Sequence, residues 1–398
     1  MTGLPLKGAL QDEQLPVIHN GGVVVEEGKV LAVGDFKALQ QDYPDQELRF
    51  IDRPMVLLPG FIDCHTHICF DGNRSRDYAM RIAGKSYLEI ARAGGGIWDS
   101  VTKTRIADTV TLAENTVARA NRHLLEGVTT IEVKSGYGLD FDSEVKMLRA
   151  IRQASLHTPA TLVPTCLAAH MKPKDFSGTE NQYLDWALAE LLPALQAESL
   201  TNRVDIFIEE TAFSPEAAAR YLKAAAAQGF AATVHADQFT AGGAAVAVAA
   251  GALSADHLEA STDKEIQLLA QSNTVAVVLP GASLGLGMHY APARKLLNEG
   301  ACVAIASDWN PGSAPMGDLL MQAAVMSAAE KLSAAEVFAA LTFRAAPALQ
   351  LADRGRLEAG MLADMQAYPT NDYRDILYFQ GKLKPCHVWK NGETVTAL

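Results

Sequence analysis

From residue 55 onward the chain alternates short, β-branched apolar runs with longer amphipathic segments. Eight runs stand out, at 55–62, 128–134, 161–167, 204–208, 230–234, 252–255, 274–279 and 302–306. Most are apolar at nearly every position, the pattern of strands buried on both faces of a parallel sheet. Between them lie Ala/Leu-rich stretches with helical periodicity, such as 144–155, 215–228 and 263–271. Pro215 follows Ser214, which predicts a helix start with the serine as its N-cap. Eight β/α repeats over about 290 residues match a closed eight-stranded barrel. An open doubly wound sheet is the competing arrangement, but no GxGxxG opens the first βα unit.

The ends differ in style. Residues 1–54 carry short strand-like pieces around 21–26 and 29–33, joined by a Glu-Gly turn. Residues 346–398 end in another such piece, followed by the hairpin signal Asn391-Gly392. Neither end could bury a core alone. The expected fold is therefore an α/β (β/α)8 barrel over 55–345, of the kind that carries metal-dependent hydrolases. A small β-sandwich domain built from 1–54 and 346–398 would flank it.

Composition narrows the partners. A net charge of −12 and a pI near 5.3 argue against nucleic acid or an anionic membrane surface. A small anionic ligand held by one buried arginine remains compatible with that charge. The sequence shows no basic-plus-apolar leader and no apolar run of 18 residues, so a cytoplasmic protein is expected. Five cysteines without a CxxC pair suit reduced, buried thiols.

The chemistry collects at predicted strand ends, where barrel enzymes place their sites. The first run leads through Pro59-Gly60 into His65 and His67. In a strand these would face the same way and could grip one metal. His170 follows the third run, His235 the fifth, His257 the sixth and Asp308 the eighth. Imidazoles and a carboxylate suit zinc or ferrous iron rather than calcium or magnesium. A two-metal version of this architecture needs a lysine on the fourth strand, and 204–210 has none. Lys134 ends the second run, on the wrong wall, so one ion per chain is expected.

These pieces resemble the amidohydrolase superfamily. The resemblance spans essentially the whole chain, from PGFIDCHTH (59–67) to GRLEAGMLAD (355–364). More specific runs resemble the imidazolonepropionases of bacterial histidine degradation. They are CHTHICFDGNRSRDY (64–78), ARAGGGI (91–97), EVKSGYGL (132–139), VHADQFTAGGA (234–244), GALSADHLE (251–259), VLPGA (278–282) and SDWNPGS (307–313). The resemblance implies His65, His67, His235 and Asp308 as ligands of one zinc or iron ion. It also implies hydrolysis of the cyclic amide of 4-imidazolone-5-propanoate to N-formimino-L-glutamate, the third step of histidine degradation. A homodimer is expected.

Within that expectation, Asp308 and His257 handle the proton, and His170 donates to the ring oxygen as negative charge develops there. Arg74, in the first βα loop, is the cation for the propionate tail, its planar fork suited to a carboxylate. Tyr137, between Gly136 and Gly138, contacts the ligand, and Tyr87 is a candidate for the tail. Gln238 serves the ring amide, while the amides and hydroxyl of Asn310, Gly312 and Ser313 serve the tail or the product. Glu259 either orients His257 or caps the next helix. The Gly94–Gly96 run lacks the lysine of a phosphate loop and is expected to be a mobile loop over the pocket. Two other functions compete: an aminohydrolase acting on a purine- or pyrimidine-like ring, which has no need of Arg74, and a scaffold that has lost its chemistry, against which all four ligands stand.

Overall fold

The computed structural model describes residues 1–85 and 87–395, without the side chains of Tyr87, Leu88 and Ala91. A hairpin of β1 (Gly21–Glu26) and β2 (Lys29–Asp35) comes first, followed by β3 (Val56–Pro59). The barrel then comprises β4 (Phe61–Asp63), β5 (Val128–Lys134), β6 (Thr161–Ala169), β7 (Arg203–Phe207), β8 (Ala231–Ala236), β9 (Ser254–His257), β10 (Val275–Val278) and β11 (Val303–Ile305). These eight lie in sequence order in one parallel sheet. All eight expected strands are present. Helices such as Thr109–Leu125, Phe141–Ser155 and Pro215–Ala227 cover the outside. Ser214 caps the last of these by accepting from the Ala217 amide at 3.3 Å, as its sequence predicts.

The ring is drawn shut just beyond its first and last strands. Thr66 bridges Trp309 in parallel fashion; His67 N donates to Trp309 O at 3.0 Å, and Asp308 N to His65 O at 3.0 Å. The seam therefore runs through His65, His67 and Asp308, the ligand candidates of the sequence. Because all eight strands are parallel, their C-terminal ends open on one side of the barrel.

One apolar run divides. Residues 55–62 read as a single strand, but β3 belongs to the small sheet and β4 to the barrel. Gly60 N donates to Asp364 O, and the next amide, Phe61 N, donates to Gly127 O, both at 2.8 Å. The handover needs glycine at residue 60, because a Cβ would collide with the Thr129 side chain.

The small sheet runs in the order β14 (Glu393–Thr394), β13 (His387–Lys390), β12 (Met365–Tyr368), β3, all antiparallel. Both predicted hairpin turns form: Glu27 and Gly28 have φ of 49° and 77°, Asn391 and Gly392 of 52° and 78°. Two consecutive left-handed residues match the twist of the flanking strands. Val30 N donates to Met361 O, and Val30, Ala363 and Met365 form an apolar cluster with Val23, Val25, Leu57 and Trp389 packed against it. The two chain ends thus share one β unit. Among the described residues, no helix is long and apolar enough to cross a membrane.

Candidate active site

Four ligand atoms converge at the barrel mouth. His65 Nε2 and His235 Nε2 each lie 3.3 Å from His67 Nε2. Asp308 Oδ1 is 3.3 Å from His67 Nε2 and 3.6 Å from His65 Nε2. β4 itself stops at Asp63, so the histidine pair converges on the seam beyond the strand rather than within it. On two of the three rings, those of His65 and His235, the other nitrogen fixes the tautomer. His65 Nδ1 donates to Asp256 Oδ2 at 2.6 Å, and His235 Nδ1 lies 2.9 Å from Asp205 Oδ2. With those nitrogens protonated, the Nε2 atoms present lone pairs to one another, an arrangement that a cation satisfies. Atoms held about 2.0–2.1 Å from one ion at tetrahedral angles sit about 3.3–3.4 Å apart. The donor set and its spacing fit zinc or ferrous iron. Burial, reinforced by Lys134, holds His65 well below the ordinary imidazole value and His67 at about 3. Burial also takes His235 to about 3 despite Asp205, so these rings stay neutral and able to ligate.

Beneath the histidines lies a buried polar network that the apolar reading of the strands overlooked. Lys134 Nζ is 2.7 Å from Glu132 Oε2, 2.8 Å from Asp205 Oδ2 and 4.0 Å from Asp256 Oδ2. Arg203 Nη2 reaches Glu132 at 3.6 Å, and Thr233 Oγ1 donates to Asp256 at 2.9 Å. Lys134 is therefore inside the barrel, facing the ligand histidines from below. The sequence signal was alternation: Glu132 and Lys134 on β5, Arg203 and Asp205 on β7, Ser254 and Asp256 on β9. Glu132, Asp205 and Asp256 gather around Lys134, with Arg203 at Glu132, while Asp308 faces His65 and His67. Burial, with Asp205 and Glu132 nearby, pushes Asp256 up to about 7 against the pull of Lys134.

Three of the residues at the mouth carry backbone strain. His257, Leu258 and Asp308 have φ of 87°, 74° and 48°, a region that side-chain-bearing residues seldom adopt and that clusters at functional sites. The His257 ring lies 5.3 Å from that of His235, centroid to centroid, tilted by 44°. Burial lowers the His257 imidazole, but the Glu259 carboxylate outweighs it, and the net shift is upward. Glu259 lies 3.6 Å from His257 Nδ1 and accepts from Ser283 Oγ at 2.8 Å, so of its two expected roles the structure favours orienting His257. Burial raises the Asp308 carboxyl, with His257 and His235 opposing.

The loop after Asp308 departs from expectation. Gly312 N and Ser313 N donate to Asn310 Oδ1 at 2.7 and 2.8 Å. Asn310 Nδ2 donates to Asp308 O and Ser313 Oγ, and Ser313 Oγ donates to Asp308 Oδ2 at 3.3 Å. These amides and the hydroxyl are thus committed to shaping the loop around Asp308 rather than to holding a tail. Gly312 has a second use: a Cβ there would collide with the Arg74 guanidinium.

Arg74 is buried and fixed. Its Nε donates to Asp77 Oδ2 at 2.8 Å, while among the described residues Nη1 and Nη2 make no hydrogen bond. Asp77 also accepts from Gly96 N at 2.8 Å, and a Cβ on Gly95 would strike its carboxylate. The glycine run is therefore seated against Asp77. Tyr137 sits 6.0 Å from His67 and 5.5 Å from His170 between ring centroids, its phenol raised by burial and pulled back by Arg74. His170 Nδ1 donates to Gly136 O at 2.9 Å, and burial drops its value to about 3. A neutral His170 consequently offers a lone pair at Nε2, the reverse of the oxyanion donor expected. Gln238 is buried on the loop after β8; Glu209 braces that loop by accepting from Phe239 N, Thr240 N and Thr240 Oγ1. The Tyr87 side chain lies outside the described residues.

Comparisons with known proteins bear on the family and the fold. The amidohydrolase family model matches residues 56–395, and one for the imidazolonepropionase-like composite domain of bacteria matches 21–45. The chain is 39% identical to the imidazolonepropionase of Symbiobacterium thermophilum, covering 99% of this chain and 94% of that one. It is 41% identical to that of Paracoccus denitrificans, covering 93% of each. Among solved structures it is similar to a triazine hydrolase variant, with a TM-score of 0.74, 17% identity and coverage of 98% and 92%. The guanine deaminase of C. acetobutylicum aligns with a TM-score of 0.72, 17% identity and coverage of 98% and 99%. At such identities these two bear on the fold alone.

Proposed function

The chain belongs to the amidohydrolase family and, within it, to the imidazolonepropionases, and on that premise we propose how its barrel mouth opens a cyclic amide. The reaction is imidazolonepropionase-type hydrolysis in histidine degradation. The substrate we assign is 4-imidazolone-5-propanoate, giving N-formimino-L-glutamate. The observation that carries the reading is that His65 Nε2, His235 Nε2 and the Asp308 carboxylate each lie 3.3 Å from His67 Nε2.

His65, His67, His235 and Asp308 would hold one zinc or iron ion. When bound, such an ion acts as a Lewis acid toward water and a carbonyl oxygen at neutral pH. Asp308, with its carboxyl raised by burial, takes a proton from the attacking water and returns it to the ring nitrogen as the C–N bond breaks. His257, steadied by Glu259, stands on the opposite side and holds a proton toward the carbonyl oxygen. His170 Nε2 accepts from a ring N–H, and Gln238 serves the ring amide. Gln238 cannot exchange a proton at neutral pH, which leaves that work to Asp308 and His257.

Arg74 clamps the propionate through its Nη groups, with Asp77 and the Gly312 backbone fixing its plane and Tyr137 bordering the same space. Asn310, Gly312 and Ser313 act through Asp308 and Arg74. We place the reaction in the cytoplasm, in a homodimer. The test is turnover of imidazolone propionate by metal-loaded and chelator-stripped protein, beside guanine and cytosine. Turnover of the imidazolone alone, lost on stripping and restored by zinc or ferrous iron, is expected. Preferred deamination of a base would replace this assignment.

A further inference from the structure

Five ionisable side chains share the barrel interior below the histidines. Burying charges is costly unless each is paired, and an apolar filling would close a barrel as well. The barrel shows that alternative itself. Val275, Val277, Cys302, Ala304 and Ala306, on and beside β10 and β11, form an apolar cluster of their own. The polar half is placed otherwise. Of the three carboxylates around Lys134, Asp205 faces His235 and Asp256 faces His65. Two carboxylates sharing one cavity, on β7 and β9 with β8 between them, repel each other when ionised and, alone, would swing their histidines apart. The ammonium between them opposes that, and Glu132 holds the ammonium in turn from Arg203 and Thr165, whose Oγ1 donates to it at 2.6 Å.

We propose that Lys134 is a positioning residue for the metal centre, holding Asp205 and Asp256 so that His235 and His65 are aimed at one ion before it arrives. The proposal rests on the four-ligand reading of the site. It gives a role to a lysine that touches neither substrate nor ion, and it makes ligand aim depend on a strand that supplies no ligand. Partners that orient ligands typically change metal affinity by about 10–100-fold when lost.

The experiment uses the full chain, stripped and titrated with Zn²⁺ against a chromophoric chelator, and with Co²⁺ while its visible absorption is followed. Lys134→Met should fold, bind Zn²⁺ about 10–100-fold more weakly and show an altered Co²⁺ band. Lys134→Met combined with Glu132→Gln keeps the internal charge sum and should lose affinity to the same degree, which separates positioning from charge balance. Val277→Ala, on the apolar half, should lower the melting temperature and leave affinity and band unchanged. A folded Lys134→Met or double variant with wild-type affinity and band overturns the proposal, and failure of both to fold would assign Lys134 to folding alone and overturn it too. His65→Ala tells the two readings apart: if it also binds like wild type, the four-ligand site falls; if it loses the ion while the Lys134 variants keep it, only this proposal falls.

Discussion

The two halves of the barrel interior are built on opposite rules. Along β5, β7, β8 and β9 the inward positions are Glu132, Lys134, Arg203, Asp205, Thr233, His235, Ser254 and Asp256, nearly all of them ionised or hydrogen-bonded. Beside β10 and β11 they are valine, alanine and cysteine, packed without a polar contact to spare for a ligand. Both halves are equally buried. The apolar half holds the ring together by packing; the polar half gives up some of that packing to aim imidazoles. Below the mouth, packing and support of the histidines are therefore divided between strands, and substitutions on the two sides should fail in different ways.

The largest effect belongs to the mouth. Asp308→Ala or His65→Ala should leave a folded chain whose turnover falls by about 10⁴-fold or more, since proton transfer and Lewis acidity go together. A folded variant turning over near the wild-type rate would move the site elsewhere. His257→Ala should lower kcat by about 10²–10⁴-fold, and Gln238→Ala should do much less; the opposite ranking would exchange their roles. Arg74→Ala should cost about 30- to several-thousand-fold in kcat/KM on the propionate substrate, mainly through KM. A ring analogue without the tail should be poor for the wild type and nearly indifferent to that change, because either loss removes the same contact. Losses that multiply would detach Arg74 from the tail.

Smaller effects test the division through stability. In metal-free protein, His67, His170 and His235 titrate at about 3 when folded and about 6.5 when unfolded. The unfolded chain takes up protons that the folded one refuses, so stability is greatest above about pH 6.5 and falls as pH drops toward 3. The loss is about 1.4 kcal/mol per pH unit for each such ring. Denaturant melts across that window should show it, and a flat profile would contradict neutral buried imidazoles. Val277→Ala should cost about 1–3 kcal/mol at any pH in this range and spare the metal centre.

The eight strands were legible because their apolar runs are short, β-branched and evenly spaced, and the proposed ligands because each follows such a run. What escaped was alternation within the runs. Val133 between Glu132 and Lys134, or Val204 between Arg203 and Asp205, reads as a mostly apolar strand until the helix layer claims one face and leaves charges on the other. Lys134 does end the second barrel strand, as its run implies, but the sequence did not show that its Nζ reaches Asp205 on β7 across the interior. The division at Gly60 was hidden in an unbroken apolar stretch, visible only once Asp364, some 300 residues later, offers its carbonyl. The loop after Asp308 misled differently. Its donors are real, but Asn310 has already taken them.

The seam at Thr66 and Trp309 also sets an order of events during synthesis. His65 and His67 leave the ribosome early, yet their partner on the far edge, Asp308, follows only after some 240 residues have been made. Contacts between such distant segments close late and slowly. A growing chain therefore carries two histidines with no completed socket, and cannot sequester an ion through all four ligands while most of its barrel is still missing. On the proposed four-ligand reading, loading would wait for the ring to shut, and a chain truncated before Asp308 should bind Zn²⁺ more weakly than the full one.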